Sequence, residues 1–230
     1  MNFSVRTFSW LLLPFALLAS TLHGQTSSAA DETLEYDVIV KQKTMGKVSI
    51  RTHETPDGAT VSTTDTHVEA EFLLMKHRYD YHGQETWRGN RLVRLDSRTN
   101  DNGTQLAVSA SVNPDRSVVS INGKQPQAGP AFVMTSNYWH LPDSMLANHK
   151  FSIIDSDTGT TFNVQLTAVG PETVILENRK IACQHYRISG ETSAELWFDR
   201  QGRLIRQQTV EQGYQTELRL ARVTAGTTAP

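Results

Sequence analysis

The sequence is poor in the features that most often announce a function. Its 230 residues hold one cysteine, Cys183, which leaves no internal disulfide, no Cys-x-x-Cys redox pair and no cysteine-rich zinc site. No G-x-S-x-G elbow occurs, so that type of serine hydrolase chemistry has no nucleophile. The eight histidines include His23 of the N-terminal leader and form neither an H-x-x-x-H motif nor a Cys/His cluster. No metal and no cofactor is expected. Charge of one sign is also lacking: 22 bases face 24 acids, a net charge of −2. Nothing in that balance offers an electrostatic footprint for nucleic acid or a polybasic patch for anionic lipid. The hydrophobic fraction of 38% includes the leader and is low for a core buried on both faces. It suits a sheet with one face wetted.

The one long apolar run is at the start. Arg6 is followed by an almost wholly apolar Phe8–Leu22, then by the small and polar Gly24-Gln25-Thr26-Ser27-Ser28-Ala29-Ala30. A charged n-region, an apolar h-region and a small-residue exit make a secretory signal peptide. The run is about 15 residues, short of the roughly 20 that span a bilayer. Residues 1–30 are therefore read as a signal peptide cleaved after Gly24 or after Ala30, the latter fitting the A-x-A-like pattern. No cysteine near the exit could carry a lipid anchor, so no stable membrane insertion is expected after processing. Export with a single cysteine points to a bacterial periplasm.

What the chain does have is regular punctuation. Asp57-Gly58, Gly89-Asn90, Asn102-Gly103, Asn122-Gly123, Thr158-Gly159, Gly170-Pro171, Gly190-Glu191, Gln201-Gly202 and Gln212-Gly213 separate short stretches of alternating apolar residues. Asn-Gly and Asp-Gly suit tight hairpins because both central residues need φ > 0. Even spacing of such turns predicts an all-β fold: a curved antiparallel meander, a half-barrel or barrel at least partly closed. Residues 31–225 are read as a single β-domain and 226–230 as a frayed tail. Arg91–Asn100 and Gln105–Asn113 flank the clearest hairpin. Met45-Gly46-Lys47 reads as a turn. Thr160–Val169 and Thr173–Glu177 read as two strands parted by Gly170-Pro171.

Residues 123–149 break the rhythm. Gln125–Pro130 reads as loop, Ala131–Met134 and Asp143–Ala147 as short helical turns, and Ser136–Pro142 as an irregular aromatic segment. A connection of this length in a small β-domain is usually functional or caps an open end. Beyond the leader there are three tryptophans, Trp87, Trp139 and Trp197, the first and last at strand ends beside turns. They could plug a curved sheet or line a cavity for an apolar ligand. Trp87, Tyr138, Trp139, Leu141 and Trp197 form the candidate ligand-binding set, with 136–142 as a lid. No catalytic residue is assigned. Asp155 and Asp157 read as turn formers and Cys183 as a buried structural thiol. Arg78, Asp80 and Glu85, alternating with aromatics, read as a solvated strand face, with a buried polar network as the alternative.

Several stretches carry a resemblance. Arg98-Thr99-Asn100-Asp101-Asn102-Gly103, Ser136-Asn137-Tyr138-Trp139, Ile181-Ala182-Cys183-Gln184-His185-Tyr186-Arg187-Ile188, Leu196-Trp197-Phe198-Asp199 and Gly202-Arg203-Leu204 resemble an uncharacterised family of exported bacterial β-proteins, a domain of unknown function. That family is distantly similar to the half-barrel of outer-membrane lipoprotein carriers, which hold acyl chains on a concave apolar face. The resemblance implies a periplasmic, non-enzymatic protein that binds or carries an apolar or amphiphilic molecule, with a lipid or other apolar ligand as the partner. The alternative is a scaffold or interaction protein with a packed interior, and an enzyme ranks third. The sequence names no protein partner.

Overall fold

The computed structural model describes residues 31–72, 75–141, 148–211 and 213–226. Among them every regular element is a strand, and fifteen strands form one sheet. One arm of the chain comprises β1 (Glu32–Val40), β2 (Lys43–Glu54), β3 (Thr60–Phe72), β4 (Met75–Arg88), β5 (Arg91–Asp101), β6 (Thr104–Val112), β7 (Ser117–Ile121) and β8 (Gln127–Gly129). The second arm comprises β9 (Val133–Thr135), β10 (Lys150–Ile154), β11 (Thr161–Leu176), β12 (Arg179–Gly190), β13 (Ala194–Phe198), β14 (Leu204–Glu211) and β15 (Tyr214–Ala225). β1 and β15 pair at the middle of the sheet, with Glu32 opposite Ala225, and each arm steps outward to an edge. The edges, β8 and β9, follow one another in the chain but do not pair with each other. β9 instead runs parallel to β10 and lies against β5. The sheet is coiled and barrel-like, and it stays unclosed.

The turns follow the dipeptides. Asn102 and Gly103 have φ of 51° and 93°, and Asn122 and Gly123 have 52° and 67°, as tight hairpins of right-handed twist require. Two further hairpins use the same conformation without glycine, at Lys41-Gln42 and Glu177-Asn178.

Three expectations need correction. Met45-Gly46-Lys47 is strand, because the turn sits at Lys41-Gln42 and a bulge at Val38/Ile39 absorbs the offset. Gly170-Pro171 is a bulge inside the continuous β11, where Val169 is the extra residue between Ala168 and Gly170. A bulge and a turn both want positive φ, and Gly170 has 139°. Residues 123–149 are not wholly irregular: Gln127–Gly129 and Val133–Thr135 are edge strands rather than loop and helical turn. Val133, Met134 and Thr135 are all buried, so they show no period of two. The helical turn expected at Asp143–Ala147 lies outside the described residues, as do the signal peptide and residues 227–230.

The inner face is filled by large side chains. Trp87, Leu95, Ile153, Ile154, Leu166, Met134, Leu196 and Leu204 are each at most 2% exposed and share one cluster with Tyr36, Val48, Ile50 and Trp139. Tyr36 donates its hydroxyl to the Leu204 carbonyl, two strands away in the sheet, and burial raises its pKa. A smaller cluster of Val174, Leu176, Cys183, Trp197 and Ile205 forms beyond the β11 bulge, which turns the far end of the β11–β12 hairpin to the other face.

Candidate functional site

The chemistry of the interior concentrates on β4. Tyr81, Gly83, Glu85 and Trp87 share one face, since they are spaced by two residues. All four are buried. A Cβ at Gly83 would run into the Tyr81 ring, so glycine lets the tyrosine lie along the strand towards Glu85. Glu85 is 1% exposed. Its Oε2 accepts from Trp87 Nε1 at 2.9 Å and from Trp139 Nε1 at 3.1 Å, and its Oε1 accepts from Asn137 Nδ2 at 2.8 Å. The same Asn137 amide donates to the Tyr81 hydroxyl at 3.0 Å.

This knot ties the segment after β9 to the wall opposite. A second set of bonds extends it. Ser136 Oγ lies 3.0 Å from Ser156 Oγ and accepts from the Ser156 backbone N–H. Ser97 Oγ donates to the Ser156 carbonyl at 2.5 Å, and Tyr79 donates its hydroxyl to Asp157 at 2.7 Å. The β9 edge of the sheet and the turn after β10 are thus joined to β4 and β5 through side chains, not through a backbone ladder. Asp155 caps its own turn by accepting from the Asp157 and Thr158 donors.

No cation faces Glu85 in these bonds. Burial pushes its carboxyl above the usual range, against the opposing effect of the Thr135, Asn137, Trp87 and Trp139 donors. The Thr135 hydroxyl approaches Glu85 and favours its charged form, yet makes no well-directed hydrogen bond. Ser62 Oγ, on the residue opposite Glu85 in β3, and His140 Nδ1 are likewise buried without a protein partner. His140 packs its ring 3.7 Å from that of Trp139 and 5.0 Å from that of Trp87. Desolvation lowers its pKa to about 4 although part of the residue remains exposed.

The structure brings four of the five candidate ligand residues together. Trp87, Tyr138 and Trp139 are 1%, 6% and 8% exposed in the main cluster, and Leu141 packs against it. Trp87 and Trp139 meet edge to face at 6.3 Å. Trp197 does not join them. It lies on the other face, stacked on His185 at 4.3 Å with the Arg206 guanidinium 3.7 Å from its ring. Its Nε1 donates to Glu172 at 2.8 Å. His185 bridges Glu172 and Glu195, at 3.2 and 2.6 Å. Cys183, in that second cluster, is buried, and burial raises its thiol pKa.

Glu85 and Asn137 were missed as site residues, and the solvated-face reading holds only for Arg78 and Asp80, which pair with one another. A signal for Glu85 existed: it has the same parity as Tyr81 and Trp87 and stands two residues before an indole. Among the described residues no His, Cys, Asp or Glu group could hold a metal ion. No helix among them is long and apolar enough to cross a membrane.

Two open concavities lie on the surface. One, of about 830 Å³, runs over β2–β6 and is lined by Lys47, Asp65, His67, Asp80, His82 and Arg98 among others. The other, of about 670 Å³, lies over β10–β12 beside Phe132 and Phe151.

The crystal structure of a beta-barrel-like protein of the domain of unknown function DUF1849 from Brucella abortus is similar to this chain, with a TM-score of 0.66 at 7% sequence identity. The match covers 86% of this chain and 99% of the other, and at that identity it speaks for the fold alone. No curated protein matches in sequence. The family described as "Domain of unknown function (DUF6134)" matches residues 36–221, which include the whole Glu85 knot, and the chain belongs to that family.

Proposed function

We propose that this chain is an exported, periplasmic, non-enzymatic protein of the cell envelope that works as a scaffold or interaction protein through its outer surface. The observation that carries this reading is the filled interior. Trp87 and Trp139, expected at the mouth of a ligand cavity, are hydrogen-bonded to a buried carboxylate instead. An acyl chain would have to displace side chains already at most 2% exposed, and each large one would forgo roughly 1.5–3 kcal/mol of burial. The leader of residues 1–30 supports export.

A second reading, carriage of an apolar or amphiphilic molecule, is favoured by one feature. The segment of Ser136 to Leu141 is held to the wall of β4 by side chains, and Trp87, Tyr138, Trp139 and Leu141 converge beneath it. Adding oleic acid while following tryptophan fluorescence separates the two. The scaffold reading expects no shift in the parent and a loss of about 3–5 kcal/mol of stability in Trp139→Ala, as for a deleted core aromatic. A saturable shift in the parent, weakened in Trp139→Ala with stability intact, would establish carriage.

A further inference from the structure

The open concavity over β2–β6 has a distinctive chemistry: an arginine and two asparagine amides present donors to it. Five residues form its outward rows. Arg98 on β5 stands between His82 of β4 and Ala107 of β6. Asn100 stands beside Gln105, and Asn122 follows the end of β7 next to Ala107. Both asparagines spend their carbonyl oxygens on backbone. Asn100 Oδ1 accepts from the Gly103 N–H at 3.0 Å, and Asn122 Oδ1 accepts from the Ala107 N–H at 2.7 Å. A backbone N–H needs an acceptor, so each amide NH2 is the group left over. Arg98 is exposed, makes no ion pair among the described residues, and has only donors. Ala107 separates Arg98 from Asn122 with a methyl group, which keeps the floor between them low.

The carboxylates in the same wall are already used. Asp65 accepts from His82 and Arg51, both at 2.6 Å, and Asp80 accepts from His67 at 2.6 Å and Arg78 at 2.7 Å. Burial opposes ionisation of Asp65, yet the His82 and Arg51 bonds prevail and hold its carboxyl low; the Arg78 and His67 bonds do the same for Asp80. Both negative charges are therefore engaged by partners in the wall. Lys47, loosely paired with Asp37 at 3.8 Å, adds an exposed cation at the β2 side.

We infer that this concavity binds an oxyanion group of the envelope partner, a phosphate or a carboxylate, with Arg98 as its anchor and the Asn100 and Asn122 amides as flanking donors. A guanidinium fork and two NH2 groups around a small residue suit such a group, and Arg presents its donors in the fixed geometry that oxyanions match. This goes beyond the scaffold reading by naming the chemistry recognised, and its failure would leave the filled interior untouched.

The test is a titration of the processed, 15N-labelled chain with sodium pyrophosphate and, separately, sodium citrate at low ionic strength. Both should shift the amides of Arg98, Asn100, Ala107 and Asn122. Arg98→Gln should weaken binding at least tenfold, whereas Arg116→Gln, an exposed cation elsewhere, should leave it unchanged. Tighter binding of pyrophosphate would assign a phosphate-bearing partner, and tighter binding of citrate a carboxylate-bearing one. Shifts scattered over the other surface cations, shifts that survive Arg98→Gln, or no shifts with either anion would overturn the inference.

Discussion

Removing the Glu85 side chain should be among the most damaging single changes in this protein. In Glu85→Ala the indole N–H groups of Trp87 and Trp139 lose their acceptor, and the Asn137 amide keeps only Tyr81. A buried donor left unsatisfied costs about 1–3 kcal/mol. Two fully orphaned donors and one weakened one give roughly 3–6 kcal/mol, and relief of the desolvated carboxyl offsets part of it. A net loss of about 3–5 kcal/mol is expected from these orphaned donors. That is a large share of the roughly 5–15 kcal/mol by which a domain is stable. Glu85→Gln keeps the volume and an oxygen for the two indoles, but its new NH2 then faces the Asn137 NH2, so about 1–3 kcal/mol should be lost. Urea unfolding followed by tryptophan fluorescence and far-ultraviolet circular dichroism measures both. The exposed Glu69→Ala, on β3, should stay within about 0.5 kcal/mol of the parent. If Glu85→Ala behaved like Glu69→Ala, the carboxylate would not be holding the segment after β9 to β4.

Other consequences follow from single residues. His140 has a folded pKa of about 4, below its unfolded value near 6.5, so the unfolded chain takes up the proton first as pH falls. Its contribution is complete above pH 6.5 and is lost between pH 6.5 and 4, by about 2–3 kcal/mol given the partial exposure of the residue; the pH–stability curve of His140→Leu should lack that slope, and parallel curves would refute it. Gly103→Val places a β-branched residue at a φ of 93°, and the unfolding free energy should fall by about 1–3 kcal/mol; an unchanged midpoint would contradict the hairpin geometry. Gly83→Ala should displace Tyr81 and cost about 1–3 kcal/mol with altered near-ultraviolet dichroism, and an unaltered spectrum would show that the ring does not need that space.

The strands were legible because their signals are local. Asn102-Gly103 and Asn122-Gly123 fix their turns through backbone sterics that any neighbourhood preserves. Gly170-Pro171 misled because a bulge makes the same demand on φ as a turn. Val133–Thr135 was hidden because an edge strand buried on both sides has no alternation to detect. The pairing of β1 with β15 joins residues about 190 positions apart, a matter of sheet order that periodicity does not encode. The convergence of Trp87, Tyr138, Trp139 and Leu141 was legible from aromatic placement in the long connection, and the departure of Trp197 was not. Leu196, Trp197 and Phe198 are an apolar run with all three buried, so alternation is masked, and Trp197 takes the opposite face from its neighbours, beside the Val174 and Leu176 that follow the β11 bulge. Glu85 was overlooked because a lone acid on a strand ordinarily faces water. Its partners Asn137 and Trp139 lie more than 50 residues away.

The central claim is that the interior is filled by the protein's own side chains and carries no lipid. Native mass spectrometry of the protein purified from the envelope of the cell that makes it tests this directly. One species is expected at the mass of the processed polypeptide, starting at Gln25 or Asp31, with no adduct that survives desolvation. A second species heavier by an acyl-chain lipid, lost on mild activation, would contradict it and establish a carrier.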